Sequence, residues 1–309
     1  MQSVLDTAGP YAEHIAQLFW AFVAVSVVVY TLVIGFLVHA IRRRRAAGQA
    51  PQESTVAVRM IGVAAGVTAV VLVGLGITDF LAGRAHVRPP PEAMRVRITA
   101  HQWWWEIEYL DAVPSQRIRT ANELHIPVGK PVALELLSDD VIHSFWVPSL
   151  NGKKDLIPGY ATSLQLQASR PGVYRGECAE FCGFQHAHMS VAVHAHEPEA
   201  FAQWQAGQRR AAPDPADAIA ARGRDIFLAS TCAQCHAVQG TDAAATLGPD
   251  LTHVASRQSI AAGTLPNNPQ SMAAWIRNPA AHKPGTRMPP SQLSGEELGA
   301  LVTWLGSLR

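Results

Sequence analysis

A chain of 309 residues is long enough for two modest globular domains and an anchor. Its 25 Lys and Arg almost balance 24 Asp and Glu, a net charge of +1, so bulk charge argues against a nucleic-acid partner. The distribution is uneven, however: the first 41 residues hold no Lys or Arg, and Arg42, Arg43, Arg44 and Arg45 then stand in one run.

Two apolar stretches, Gln17 to Ile41 and Met60 to Leu81, reach the roughly 20 residues that a bilayer span needs. The rival reading is a signal peptide followed by a buried core helix. A signal peptide carries its positive charge ahead of the apolar run, and here the arginines follow it. We therefore expect residues 1–87 to be an N-terminal segment with a transmembrane hairpin, its spans at about 17–41 and 60–81. By the positive-inside rule the Arg42–Arg59 loop stays cytoplasmic. The N-terminus and everything after about Gly83 then lie across the membrane, which is the periplasm if the cell is bacterial. Glu53, in the cytoplasmic loop, reads as a solvated carboxylate.

Beyond the proline-rich exit Arg88-Pro89-Pro90-Pro91 come alternating segments: Met94–Tyr109, Asn122–Leu137, Ser163–Ala168, Val173–Gly176 and Met189–His194. Pairs such as Pro158-Gly159 and Pro171-Gly172 punctuate them as turns. Many short strands with turns between them predict an antiparallel β-sandwich, a domain over 88–205. Residues 206–216, rich in Ala, Gln, Arg and Pro, read as a linker. The remainder, 217–309, is helical in pattern. Ser294-Gly295-Glu296-Glu297 is a capping box, and Leu298, Leu301, Val302 and Leu305 follow as an apolar stripe that needs a partner.

Four cysteines fall in the exported part, where disulfides are the default expectation. The neighbours of Cys178 and Cys182 point elsewhere. Between Cys178 and Met189 lie two thiols, the imidazoles of His186 and His188, and a thioether. Thiolate and thioether are soft ligands that favour copper, and imidazole suits it too. A structural zinc site wants four closed ligands, for which a thioether is poor, so Met189 tilts the choice to copper. His143 stands alone after a strand in Asp139-Asp140-Val-Ile-His143-Ser-Phe-Trp-Val-Pro148. His188, His194 and His196 read as solvated strand or loop residues.

These motifs, with His101-Gln102-Trp103-Trp104-Trp105, resemble subunit II of cytochrome c oxidase over residues of about 15 to 205. The resemblance implies a cupredoxin-like Greek-key β-sandwich holding a dinuclear copper centre, CuA. Cys178 and Cys182 would bridge both coppers; His143 and Met189 would complete one, His186 and the Glu180 carbonyl the other. It further implies that the Glu180 side chain is a magnesium ligand shared with subunit I, and that Trp103 sits where electrons enter.

Cys232-Ala-Gln-Cys235-His236 is the C-x-x-C-H haem-attachment pattern. A thioredoxin-like dithiol would want a βαβ context, and these flanks are helical. With Leu247-Gly248-Pro249-Asp250-Leu251 and Gly285-Thr-Arg-Met288-Pro289-Pro290, the segment resembles a small class I, all-α cytochrome c domain. Covalent haem c on Cys232 and Cys235 is then implied, with His236 and Met288 as axial ligands. Met272, the rival methionine, reads as a helical core residue.

Together the resemblances imply the electron-entry subunit of a bacterial inner-membrane haem-copper oxidase. Its electrons would pass from cytochrome c or another donor through haem c and CuA to subunit I, where oxygen is reduced to water with proton pumping; subunit III is an expected companion. The catalytic oxygen site would not lie in this chain. Rival readings are the CuA subunit of a nitric oxide reductase and a stand-alone membrane electron carrier. Nitrous oxide reductase, with a similar copper motif, resembles this chain in neither anchor nor haem.

Overall fold

The computed structural model describes residues 3–47, 55–85 and 89–309; Glu53 and Arg88 lie outside the described residues. Two compact units emerge, one of His14–Arg88 and one of Met1–Glu13 with Pro89–Arg309.

The first unit is made of α1 (Pro10–Ala47), from His14 onward, and α2 (Thr55–Ala85). Both helices contain a predicted span and run past it at each end. Their apolar windows are not buried by protein at all: Tyr30, Phe36, Ile61 and Val70 are all more than 60% exposed. A helix that is apolar all round and finds no protein cover needs a hydrocarbon solvent. The core-helix reading therefore fails, and the pair is a membrane anchor.

The second unit begins with a sandwich. Its strands are β1 (Met94–His101), β2 (Trp104–Tyr109), β3 (Ile118–Ala121), β4 (Glu123–Pro127), β5 (Val132–Ser138), β6 (His143–Trp146), β7 (Lys154–Leu156), β8 (Thr162–Leu166), β9 (Gly172–Cys178) and β10 (Ser190–His196). One sheet has the order β3-β2-β1-β5-β8, the other β4-β10-β9-β6-β7. Period-two alternation puts Val96, Ile98, Trp105, Ile107, Leu134 and Leu136 into the core between them. The predicted segment Met94–Tyr109 is a hairpin, not one strand, turning between His101 and Trp104, which face each other across it. Likewise Asn122–Leu137 is two strands, one in each sheet. The crossing from β3 to β4 is made at Asn122, whose φ of 63° lies in the left-handed region that asparagine tolerates. Its side-chain Oδ1 accepts from the Trp105 N–H at 2.9 Å, which fixes the switch.

Helix α3 (Pro198–Gln208) follows, reaching into the stretch read as a linker. Beyond it, α4 (Ala218–Ala229), a ribbon of β11 (Ser259–Ile260) and β12 (Leu265–Pro266), α5 (Pro269–Arg277), the short α6 (Pro279–His282) and α7 (Gly295–Leu305) build the helical domain. The capping box at Ser294 and Glu297 is formed in both directions. The α7 stripe finds its partner in α4, where Phe227 meets Trp304 at 5.1 Å between ring centroids. At the crossing Gly223 is required: a Cβ there would sit 2.1 Å from the Ala300 carbonyl oxygen.

Sandwich and helical domain share the second unit. Side chains from both tie them. Glu123 Oε1 accepts from the backbone N–H groups of Gln258 and Ser259 at 2.8 and 3.1 Å. Lys283 Nζ, buried, donates to the carbonyls of Trp103 and Ala261 at 2.7 and 3.1 Å. Gln185 Nε2 donates to the Pro284 carbonyl at 2.9 Å.

Candidate metal centres

One end of the sandwich gathers the thiols. His143 opens β6 and Cys178 closes β9, two strands that pair through Phe145 and Cys178. The loop to β10 then carries Cys182, His186 and Met189 back over the same spot. Cys178 and Cys182 are free thiols with sulfurs 3.8 Å apart, far beyond the ~2.05 Å of a disulfide. His143 Nδ1 lies 3.9 Å from Cys178 Sγ. His186 Nδ1 and Met189 Sδ lie 3.7 and 3.9 Å from Cys182 Sγ, and the Glu180 carbonyl oxygen is 3.2 Å from Cys178 Sγ. All six predicted donors thus converge. His188, by contrast, is exposed and bonds only locally, to Gln185.

The electrostatics of the cluster favour ligation. The Cys178 thiol is pushed down, first by its hydrogen bond with Cys182 and then by His143, while the same contact pushes Cys182 up. Burial draws His143 down, but its bonds to Cys178 and Asp140 outweigh that and raise it. Asp140 does more than the sequence disclosed. One of its carboxylate oxygens binds His143 Nε2 at 2.8 Å and the other accepts the Gln102 N–H at 2.6 Å. With Nε2 so held, Nδ1 is the ring nitrogen turned to the sulfurs, the outer-shell arrangement that orients metal-bound histidines. The donor set of two thiols, thioether, two imidazoles and a carbonyl fits copper. The Glu180 side chain is exposed, free to meet something outside the chain.

Trp103 is buried, 7% exposed, with Nε1 donating to the Cys182 carbonyl at 2.9 Å. A Cβ on Gly285 would lie 3.2 Å from its ring. The helical domain, through Lys283 to Gly285, therefore covers this residue.

In the helical domain Cys232 and Cys235 are free, half-buried thiols in and after a 3-10 turn, Thr231–Gln234. His236 donates from Nδ1 to the Pro249 carbonyl at 2.7 Å, leaving Nε2 as the ligating nitrogen. Burial pushes the His236 imidazole down, so it is neutral, the form that binds iron. Gly248 completes the cradle, since a Cβ there would come within 2.7 Å of the ring. Met272 is buried in the core on α5, whereas Met288 is half-buried at the edge of that core. These residues fit a haem held through two thiols and His236.

One reading is corrected. His194 and His196 are not solvated strand residues: His194 is 6% exposed, and both join a cluster with Glu123 and His125. The available signal was positional. Glu123 and His125, like His194 and His196, alternate with apolar residues, which aims each pair at one face of its strand.

Fold and donors together define an anchored cupredoxin-like electron carrier joined to a cytochrome c domain. Residues 110–196 match the family described as cytochrome c oxidase subunit II, periplasmic domain, and residues 220–309 match cytochrome c. The chain is 39% identical to cytochrome c oxidase subunit 2 of Alkalihalophilus pseudofirmus, over 72% of this chain and 64% of that protein. It is 31% identical to that of Bacillus subtilis, over 78% and 69%, and 30% identical to quinol oxidase subunit 2 of Bacillus cereus, over 68% and 74%. The chain belongs to the cytochrome c oxidase subunit 2 family. Its match to the Alkalihalophilus relative spans just under two thirds of that protein's length.

Proposed function

We propose that this chain is the electron-entry subunit of a haem-copper terminal oxidase. It would take electrons from cytochrome c or another periplasmic donor and pass them by way of haem c and CuA to subunit I, where oxygen becomes water with proton pumping. When bound, the haem and the copper pair would each supply a one-electron carrier. Cys178 and Cys182 would bridge the coppers, with His143, Met189, His186 and the Glu180 carbonyl completing them; Cys232 and Cys235 would bind the haem covalently, His236 and Met288 its iron. The exposed Glu180 carboxylate would reach a magnesium ion shared with subunit I. The hairpin would lie in a bacterial inner membrane with both redox domains periplasmic, beside subunit I and subunit III.

The convergence of six donors at Cys178 and Cys182 carries this reading. The residues' task is to hold and orient. Asp140 fixes His143, Pro249 fixes His236, and Lys283 with Gln185 fixes the helical domain over Trp103. A tether gives millimolar effective concentration, and these bonds go further by docking the donor domain.

Purification from native membranes tests the proposal. We expect two coppers and one haem that organic solvent does not extract, co-purification with a many-span haem protein, and oxygen consumption with reduced cytochrome c. Zinc in place of copper would sink the CuA assignment. Reduction of nitric oxide in place of oxygen would move the chain to a nitric oxide reductase, and isolation without a haem-protein partner would make it a stand-alone carrier. Because one relative is a quinol oxidase subunit, a quinol donor belongs in the same assay.

A further inference from the structure

The histidine cluster at the sheet edge lies outside the thiol centre and has its own chemistry. Strand β4 is the edge of its sheet and pairs in parallel with β10, with Glu123 opposite Ala192 and His125 opposite His194. Ligand atoms of Glu123, His125 and His194 all lie within 4.8 Å of one another. His194 Nε2 is buried and has no hydrogen-bond partner, an arrangement that is unfavourable unless something else satisfies it. It stands 3.6 Å from Glu123 Oε2. That is too long for a hydrogen bond. It is close to the separation of two ligands that share one tetrahedral ion at about 2.0–2.2 Å each.

We propose that Glu123, His125 and His194 form a binding site for a divalent transition-metal ion of the zinc type, at the junction of the sandwich and the helical domain. His125 Nδ1 meets His196 Nε2 at 2.8 Å, so His196 is the outer partner that orients His125. Burial pushes the imidazoles of His125 and His194 down, keeping their lone pairs free for a metal. Two neutral nitrogens and one carboxylate select a borderline ion over magnesium or calcium, which want oxygens. Burial pushes the Glu123 carboxyl up, against the N–H groups of Ser259 and Gln258 and the nearby half-buried guanidinium of Arg257, so imidazole coordination and not net charge supplies the affinity.

Binding requires one local movement. The rings of His125 and His194 are stacked 4.5 Å apart at 8°, and in-plane lone pairs on parallel rings do not converge. His125, which also stacks on Trp204 at 4.2 Å, must tilt, and it is partly exposed. The consequence reaches the helical domain. The second oxygen of Glu123 holds the N–H groups of Gln258 and Ser259, so an ion on Oε2 orders the carboxylate that ties the domains together.

The test uses the full chain with copper and haem loaded, so that the thiols are occupied. Equilibrium dialysis against zinc should bind one further ion per chain. Glu123→Gln, which retains an oxygen to accept from Gln258 and Ser259, and His194→Asn should each weaken it by more than the roughly 10–100-fold that an outer-shell loss costs. His188→Asn should bind as the parent does. Cobalt should give the visible bands of nitrogen and oxygen ligation without the near-ultraviolet bands of thiolate, and hydrogen exchange at Gln258 and Ser259 should slow on binding. If His194→Asn fails to fold, Glu123→Gln decides alone, with an unchanged copper spectrum as its folding control. No additional zinc, zinc binding that Glu123→Gln leaves unchanged, or thiolate bands with cobalt would overturn the site.

Discussion

Lys283 is the residue on which the junction's pH response turns. Burial pushes its amine from 10.5 down to about 7. In the unfolded chain or the undocked domain the amine is solvated and titrates near its ordinary value. Between about pH 7 and 10.5 the folded state therefore binds fewer protons than the unfolded state, and stability rises with pH across that window. Below about 7 the amine is charged in both states and the dependence ends. Thermal unfolding of the full chain should show this rise, and Lys283→Met should abolish it; a slope unchanged in the variant would assign the effect to another group. At the thiols, Cys178→Ser removes a donor that faces Cys182, His143 and the Glu180 carbonyl, and should lower copper content and abolish the dinuclear spectrum. Met189→Leu removes one weak thioether and should retain the copper while shifting its spectrum. Normal spectra from both variants would refute the bridging assignment. Residue types and spacing made Cys178, Cys182, His186 and Met189 legible, because soft ligands that crowd into twelve residues have few other uses, while His143 and the Glu180 carbonyl came only with the family resemblance. Asp140, Lys283 and the Glu123 cluster were not legible, since each acts across 38 to 180 residues of sequence or through a carboxylate no pattern distinguishes.

Elements explain what the sequence left ambiguous. The hairpin of β1 and β2 read as one strand because both halves alternate, yet the parity of buried positions flips between Ala100 and Trp105, the mark of the turn. Strand β6 holds three buried residues in four and shows no alternation, so period two could not reveal it. Helix α3 was hidden by a weakly apolar composition; its Phe201 and Trp204 dock on the sandwich as a pair rather than a stripe. In the helical domain the α4–α7 crossing rests on Gly223. Gly223→Ala places a Cβ against backbone, which cannot yield as a side-chain end can, so the helices must separate. We expect a loss of about 1–3 kcal/mol, the range for overpacking, read as a lower unfolding midpoint of the haem domain with the copper spectrum intact. Gly299→Ala on the exposed face of α7 meets no atom within 4 Å and should be neutral or slightly stabilising. Equal effects at the two positions would mean that close approach is not what Gly223 provides.

At the scale of the whole molecule, the question is whether the helical domain is a tethered donor or a docked one. A flexible linker would leave the Trp103 face free to any carrier. Instead Lys283 and Gly285 lie against Trp103, Gln185 grips Pro284, and Glu123 grips residues 258–259, so that face is already occupied. Transfer from the helical domain to the thiol centre should then be first order and indifferent to protein concentration and salt, because no encounter precedes it. Removing the residues after Gln208 uncovers Trp103, close to Phe184, which is exposed already in the intact chain. An external donor should then reach the copper centre by collision, at a rate that rises with its concentration and, if charge steers the encounter, falls with added salt. Lys283→Met and Gln185→Ala in the intact chain weaken docking without cutting the tether. They should slow the first-order step while keeping its order, since a tethered domain still searches within one molecule. Rapid mixing of the intact chain with a reduced donor decides the direction of flow: haem should be reduced first and copper second. Copper reduced before haem at every donor concentration would make the helical domain a side branch and leave the entry port elsewhere, while the thiol site would stand.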